Sequence, residues 1–491
     1  MESPAALSPG GAVPARVVGS VPLGALAALV FGLAVPAYVL AATPGPRNPG
    51  WLGALVVLVL VGVRYSWIVG RGEQRLVEMT VWLFTYVFLG LAPLVQLREG
   101  VSPETTPEVY GAFVAESLLV VGLGSLSFAV GCGLRTLRSG GRGARLRTIG
   151  PAIAGNTQVG VPRGLRWLGL GSLLLTAYYL VQVAPALFTS VDQLGAQMAA
   201  VWPNTATQGI VQALAIMPLL VTVVSMTLLR LRRPRPVWTT GEQVVYWTAV
   251  VALVVTVNPL NSPRYVFGTV ALSLAGALGL YATGRRFRAV AVGAVLGLLV
   301  VFPVADAFRD TSTPGGIEIS PLSALEGGDF DAFAQIDNTL LYVDQYGTTE
   351  GRQALGVALF WVPRAVWTEK PEDTGVLLAD FRDYSFDNLS APLWAELFIN
   401  GGWVAVGIGG LAFGWWARGR DDAIVTRLRR SRAPGVVDCI LPFYFVFLLR
   451  GSLLQAMANL VVMLACAWFA DRVTREHLAV DAPARSEPAS A

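Results

Sequence analysis

The stretch WLGALVVLVLVGVRYSWIVG, residues 51–70, decides the fold class. Its only charged residue is Arg64. Twenty residues of α-helix span about 30 Å, the thickness of a bilayer's hydrocarbon core. Comparable apolar runs recur along the chain as far as residue 471. Over all 491 residues, 54% are apolar and 14% charged, whereas soluble domains carry about 25% charged residues. That balance excludes a soluble multidomain enzyme, a disordered chain, a disulfide scaffold and a nucleic-acid binder. It leaves an all-α polytopic membrane protein.

Twelve spans are expected, over residues 17–42, 50–69, 76–97, 109–134, 165–188, 209–229, 243–258, 265–282, 289–308, 391–416, 436–449 and 452–471. A Pro/Gly-rich tail, 1–16, precedes them. The first apolar stretch is too long for a cleavable signal peptide. Residues 17–308 hold nine spans, 309–390 form one long extracytoplasmic loop, 391–471 hold three spans, and 472–491 are a tail.

The basic residues set the orientation. They are 35 arginines and one lysine, Lys370. With the N-terminus inside, 26 fall in inner segments and nine in outer ones, the asymmetry that marks cytoplasmic loops. Both termini are therefore expected in the cytoplasm. The arginine excess reads as codon bias in a GC-rich genome, which points to a bacterial plasma membrane. The three cysteines lie in apolar runs, and the one histidine, His477, is in the tail. No zinc ligand set exists, and no metal is expected.

Residues 309–390 carry fourteen acids and five bases. A loop of this length in a compact protein is functional or disordered. It contains QALGVALFWVPRAVW, residues 353–367, which predicts a helix lying in the membrane interface before Pro363.

Several residues stand out as chemistry. In NPLNSPRY, residues 258–265, Arg264 sits at the outer mouth of a helix hairpin. A helix N-terminus beside a fixed positive charge suits a phosphate; a Pro-rich turn with an interfacial arginine is the plainer alternative. In WVPRAVWTEKPED, residues 361–373, Arg364 and Lys370 lie between interfacial tryptophans. Outer basic residues run against the orientation bias, so either they bind an anionic headgroup or they are a snorkelling arginine and an exposed lysine. Arg450, in FVFLLRGSL at 445–453, is flanked by apolar residues and must be paired, bind an anion or sit in a hydrated turn. Arg309, between Asp306 and Asp310, reads mainly as a structural ion pair. Glu396, in APLWAELFINGGW at 391–403, lies one to two turns below the outer surface, and a carboxylate there is a functional candidate. Glu116 also lies in an apolar run, while Glu78 reads as an ordinary helix-end acid. Asp337 and Asp344, seven apart, would share a helix face. There is no Walker loop, dinucleotide glycine pattern or zincin motif. The first outer loop, ATPGPRNPG at 42–50, has no acid, which speaks against polyprenyl-phosphate-sugar glycosyltransferases.

VPRAVWTEKP at 362–371, after the long loop, and APLWAELFINGGWVAVGIGGLAFG at 391–414 resemble the oligosaccharide repeat-unit polymerases, the Wzy-type O-antigen polymerases, which are related to O-antigen ligases. NSPRY at 261–265 resembles their Ser-x-Arg element, and LLRGSL at 448–453 their late arginine. The resemblance covers about residues 258–455. It implies a GT-C-like polymerase or ligase architecture around an outward-opening, lipid-accessible cavity. It implies transfer of a growing glycan from polyprenyl pyrophosphate onto a new lipid-linked repeat unit, with release of polyprenyl pyrophosphate. Donor and acceptor are then polyprenyl-pyrophosphate-linked oligosaccharides, with membrane lipid around them and a chain-length regulator or flippase as further partner. By carry-over, Arg264, Arg364 and Arg450 cradle the pyrophosphate without a metal or cofactor, assisted by Lys370, with Arg309 nearby. Some relatives use a histidine in the outer loop, and this chain has none there. A general base would then be Glu396. A ligase-like transfer to another acceptor, or a lipid-linked oligosaccharide flippase, are the competing readings.

Overall fold

Helices carry the chain wherever its placement is defined. The computed structural model describes residues 20–140, 160–189, 191–231, 237–258, 262–297, 322–386, 389–431 and 434–480, and no strand occurs among them. In chain order the helices are α1 Val21–Ala42, α2 Trp51–Arg71, α3 Leu76–Glu99 and α4 Val114–Gly140. They continue as α5 Arg163–Val183, α6 Val191–Val201, α7 Thr205–Arg230, α8 Thr240–Thr256, α9 Arg264–Ala277 and α10 Gly284–Leu296. Then come α11 Ala332–Tyr346, α12 Arg352–Ala358, α13 Thr374–Arg382, α14 Leu393–Ser431, α15 Val436–Arg450 and α16 Leu453–Val480.

A helix stands at each of the twelve expected spans, and eight are long and apolar enough to cross a membrane. Helices α8, α9 and α15 have 17, 14 and 15 residues, short of the roughly 20 that a full crossing needs, while α10 reaches the end of its described stretch. The chain is thus an all-helical, multi-pass membrane protein.

Helix α3 is the axis of the bundle, with its whole apolar window buried. Its first turn is capped by Asp421 of α14, which accepts from the amides of Val77 and Glu78 at 2.9 and 3.0 Å. A carboxylate there satisfies N–H groups that have no helical partner. Glu78 is not an ordinary helix-end acid. It is fully buried and accepts from Arg64 at 2.7 Å and Arg418 at 3.2 Å, with Arg75 at 3.8 Å. Three elements of the bundle, α2, the start of α3 and α14, are fastened there. Asp438, also buried, does the same for α15 through Arg420 and Arg427 at 2.8 and 2.6 Å. These acids explain how the arginine-rich end of the bundle carries so much positive charge at close quarters.

The tenth expected span, 391–416, is not one straight helix. The break in α14 is at Gly401 and Gly402, and Gly402 has φ +59° and ψ −149°. That conformation is open almost solely to glycine. Beyond the break the chain reverses. Leu397 lies against Gly409, where an added Cβ would be 2.5 Å from Leu397 Cδ2. Twelve residues of straight helix would hold those positions about 18 Å apart. Residues 393–400 are therefore a half-helix folded back along the long arm that follows. That arm runs parallel to α4: Gly410 faces Gly124 and Ser127, and Gly414 faces Phe128 and Cys132.

One part of the described 322–390 lies inside the bundle, while most of 341–372 is exposed or half-buried. Residues 330–340 of α11 and its approach are buried throughout, polar ones included. Phe330 stacks on Phe88 of α3 at 5.2 Å, and Gln96 of α3 donates to the carbonyls of Leu325 and Phe330 at 2.7 and 3.2 Å. A helix, α12, is present before Pro363, with Leu355 and, just beyond it, Trp361 exposed.

Candidate functional site

The end of the bundle opposite the Glu78 cluster gathers the sequence candidates. Helix α15 stops at Arg450, Gly451 and Ser452 form the turn, and α16 starts at Leu453. The Arg450 guanidinium turns inward onto the segment before α11. Its Nε donates to the Asp329 carbonyl at 2.9 Å, and one terminal nitrogen donates to the Gly328 carbonyl and to Asp331 Oδ1, both at 3.3 Å. The Asp329 carboxylate is a further 3.6 Å ion-pair contact. Arg450 is 20% exposed and Asp331 2%. The second Asp331 oxygen accepts from Ser390 N at 3.2 Å, and the Arg450 carbonyl accepts from Ala391 N at 3.0 Å. One arginine thus holds three stretches together: the last hairpin, residues 328–331 and residues 389–391. The expectation that Arg450 is paired is met by two acids the sequence did not single out.

Arg264 opens α9 just after Pro263, as a helix-start position. Its side chain is outside the described residues. The next residue, Tyr265, stacks on Phe447 at 4.4 Å with rings 2° apart, and lies within electrostatic reach of Arg450 and Asp329. Position 264 therefore sits at the same end of the bundle as Arg450. Arg309 and its neighbours Asp306 and Asp310 lie outside the described residues.

Arg364 and Lys370 spend their donors on their own loop. Arg364 donates to the carbonyls of Lys370 and Pro371 at 2.8 and 3.3 Å. Lys370 Nζ donates to those of Phe360 and Val362 at 2.6 and 3.0 Å. Partial burial, and then the Arg364 charge, pull the ammonium below its usual range. The pair closes the loop that delivers Asp373 and Thr374 to the hairpin turn.

Glu396 is buried, and both its oxygens are occupied. Oε2 accepts from Thr374 Oγ1 at 3.0 Å, while Oε1 accepts from Ser452 Oγ at 3.1 Å and Leu453 N at 3.0 Å. The last bond caps α16. Asp373 caps α13 through Gly375 N at 2.9 Å. Burial raises its pKa, against hydrogen bonds with Ser452 and the backbone of Gly375, Val376 and Gln455. Two carboxylates therefore converge on Ser452. One turn along, Asn400 donates to the Glu396 carbonyl at 2.7 Å and accepts from Ala354 N at 2.9 Å. It joins the half-helix to α12.

Asp337 and Asp344 share α11 as expected, but Asp337 is buried and Asp344 exposed. Asp337 accepts from Ser117 at 3.0 Å. Burial raises its pKa to about 6, against the Ser117 and Gly111 hydrogen bonds and Arg382, with Glu116 adding to the rise. The Tyr110 phenol is also raised, by burial and by facing Asp337 and Asp331.

Asp329, Asp331, Asp373, Asn400 and Ser452 were missed in the sequence. Three were among fourteen loop acids, and nothing local marks which of those turns inward. Chemically, the arrangement offers one guanidinium neutralised by two internal carboxylates, of which Asp329 is 44% exposed and exchangeable for an external anion. No family model, no characterised protein and no solved structure matches the chain.

Proposed function

We propose that this protein is a glycosyltransferase of the bacterial plasma membrane that polymerises polyprenyl-pyrophosphate-linked oligosaccharide repeat units at the outer face. The observation that carries the reading is Arg450. It is a largely enclosed guanidinium whose partners are two carboxylates and two carbonyls, at the end of the bundle where α9 begins with Arg264. A diphosphate makes the same charge-assisted, forked contacts as those carboxylates. Below Tyr265 a gap of only about 10 Å³ remains between α7, α9, α15 and α16, lined by Met217, Val270, Phe447 and Asn459.

In this reading a hydroxyl of the acceptor sugar attacks the anomeric carbon of the donor. The bond to the diphosphate oxygen breaks, the hydroxyl proton passes to the departing diphosphate or to water, and arginine stabilises the negative charge of the polyprenyl pyrophosphate that leaves. Glu396 acts as a positioning residue, because its oxygens already serve Thr374, Ser452 and Leu453.

The test is a strain lacking the gene, with its lipid-linked glycans extracted and sized by gel and mass spectrometry. A single repeat unit accumulating on polyprenyl pyrophosphate, with long chains lost, is the expected result. Full-length lipid-linked chains that never reach their acceptor would replace polymerase by ligase. An unchanged pool would end the glycosyltransferase reading.

A further inference from the structure

The buried face of α11 contains polar groups that the diphosphate site does not use. Asp331, Gln335 and Asn338 stand at i, i+4 and i+7, one side of a helix. Gln335 and Asn338 are both fully buried. Asn338 Nδ2 donates to Gln335 Oε1 at 3.3 Å, which leaves Gln335 Nε2 and Asn338 Oδ1 without a partner, together with Ser390 Oγ beside Asp331. A buried amide without a hydrogen bond costs about 1–3 kcal/mol, and such groups in a membrane bundle ask for an explanation. The unsatisfied set is neutral: an NH₂ donor, a carbonyl acceptor and a hydroxyl. It does not suit an ion, but it matches adjacent hydroxyls on a sugar ring, each of which donates and accepts.

This row begins at Arg450. Residues 328–331 and 389–391, which lead onto and flank its first turn, are both hydrogen-bonded to that arginine. An anion taking the guanidinium competes with its bonds to residues 328–331, and Asp331 in turn holds Ser390 N. Occupation of the guanidinium and exposure of the amide row are therefore linked.

We infer that Gln335, Asn338 and Ser390 form a neutral sugar subsite next to the anion held by Arg450, closed until that anion displaces Asp329 and Asp331. The inference rests on the diphosphate reading above and names what that site recognises beyond phosphate. A sugar attached to a diphosphate would open the subsite with its charged end and fill it with its hydroxyls.

The test uses the purified full-length protein in nanodiscs and two probes: polyprenyl pyrophosphate without sugar, and the lipid-linked glycan pool extracted from cells lacking the gene. The double variant Gln335→Met/Asn338→Leu removes both amides while keeping their bulk, a change that a purely internal pair tolerates. Its affinity for polyprenyl pyrophosphate is expected to stay within about twofold, and its affinity for the glycan-bearing lipid to fall at least about tenfold. Ser390→Ala, which removes one hydroxyl and cannot upset the α11 core, should weaken the glycan-bearing lipid about 3- to 10-fold. Wild-type binding of the glycan-bearing lipid in both variants overturns the subsite and leaves the amides to internal water. Equal loss of both probes in a folded variant also overturns it, as a scaffold effect. If the double variant does not fold, Ser390→Ala alone decides. A wild-type protein that binds neither probe fails the diphosphate reading itself, which is a separate outcome.

Discussion

Two residues separate the roles assigned here. Arg450→Lys keeps a positive charge beside Asp331 but loses the forked donor set. Glycan polymerisation is expected to fall at least about 100-fold, while expression and membrane insertion stay close to wild type. Long chains persisting in a complemented strain would remove Arg450 from the chemistry. Glu396→Gln is the complementary change. A glutamine can still accept from Ser452 and Leu453 and can donate to Thr374, but it cannot take a proton. If Glu396 only positions, the variant keeps activity within about threefold. A loss of 100-fold or more, with an unchanged melting temperature, would make it a general base. The sequence exposed these two residues because isolated charges in apolar runs are conspicuous. It did not expose their partners. Asp329, Asp331 and Asp373 look like any acid of an acidic loop, and only the fold distinguishes Asp331, which turns inward onto Arg450, from Asp344, which faces out.

At the scale of elements, the half-helix 393–400 is the part least legible in sequence. INGGW reads equally well inside a span or at a turn, and the run of apolar residues continues across it. What reverses the chain is the backbone at Gly402. Alanine there would hold a strained φ of +59°, costing of order 1–3 kcal/mol. Gly402→Ala is expected to lower the melting temperature by several degrees and loosen the bonds from Thr349 N to Ile399 O and from Gly351 N to Asn400 O, 2.8 and 3.0 Å long. Gly407→Ala, mid-helix and with open space at its Cβ, is the neutral control. Equal melting of the two variants would mean that the break is not set by Gly402. Helix α11 gives a pH prediction. Asp337 has a folded-state pKa of about 6, above its ordinary 3.8. The folded chain therefore takes up that proton first. Its stabilising contribution is complete below about pH 4 and is lost as pH rises through about 6. Asp337→Asn, which still accepts from Ser117, should melt like wild type at pH 4 and a few degrees higher at pH 7.5. Parallel stability–pH curves for the two proteins would mean that Asp337 does not titrate in this range.

For the molecule as a whole, apolar periodicity carried the reading far, because a helix in lipid must satisfy its backbone internally and bury or expose whole faces. It could not show that three of the helices are short, or that residues 330–340 are buried in the bundle. Those features depend on contacts made across hundreds of residues, such as Phe88 with Phe330 and Arg450 with Asp331. The two ends of the bundle nevertheless differ in kind. One is a set of arginines neutralised by Glu78 and Asp438. The other is the cluster around Arg450 and Glu396. We propose from the arginine asymmetry that the first end is cytoplasmic and the second faces outward. Cysteine labelling checks this, since the native Cys132 and Cys439 are buried and Cys466 only partly accessible. Asp344→Cys, on the exposed side of α11, should react with a membrane-impermeant maleimide in intact cells. Arg429→Cys, exposed at the arginine-rich end, should react only after permeabilisation, with the unmutated protein as background. The reverse pattern would put the Arg450 cluster on the cytoplasmic side, and the proposed outer-face reaction would have to be replaced together with the topology.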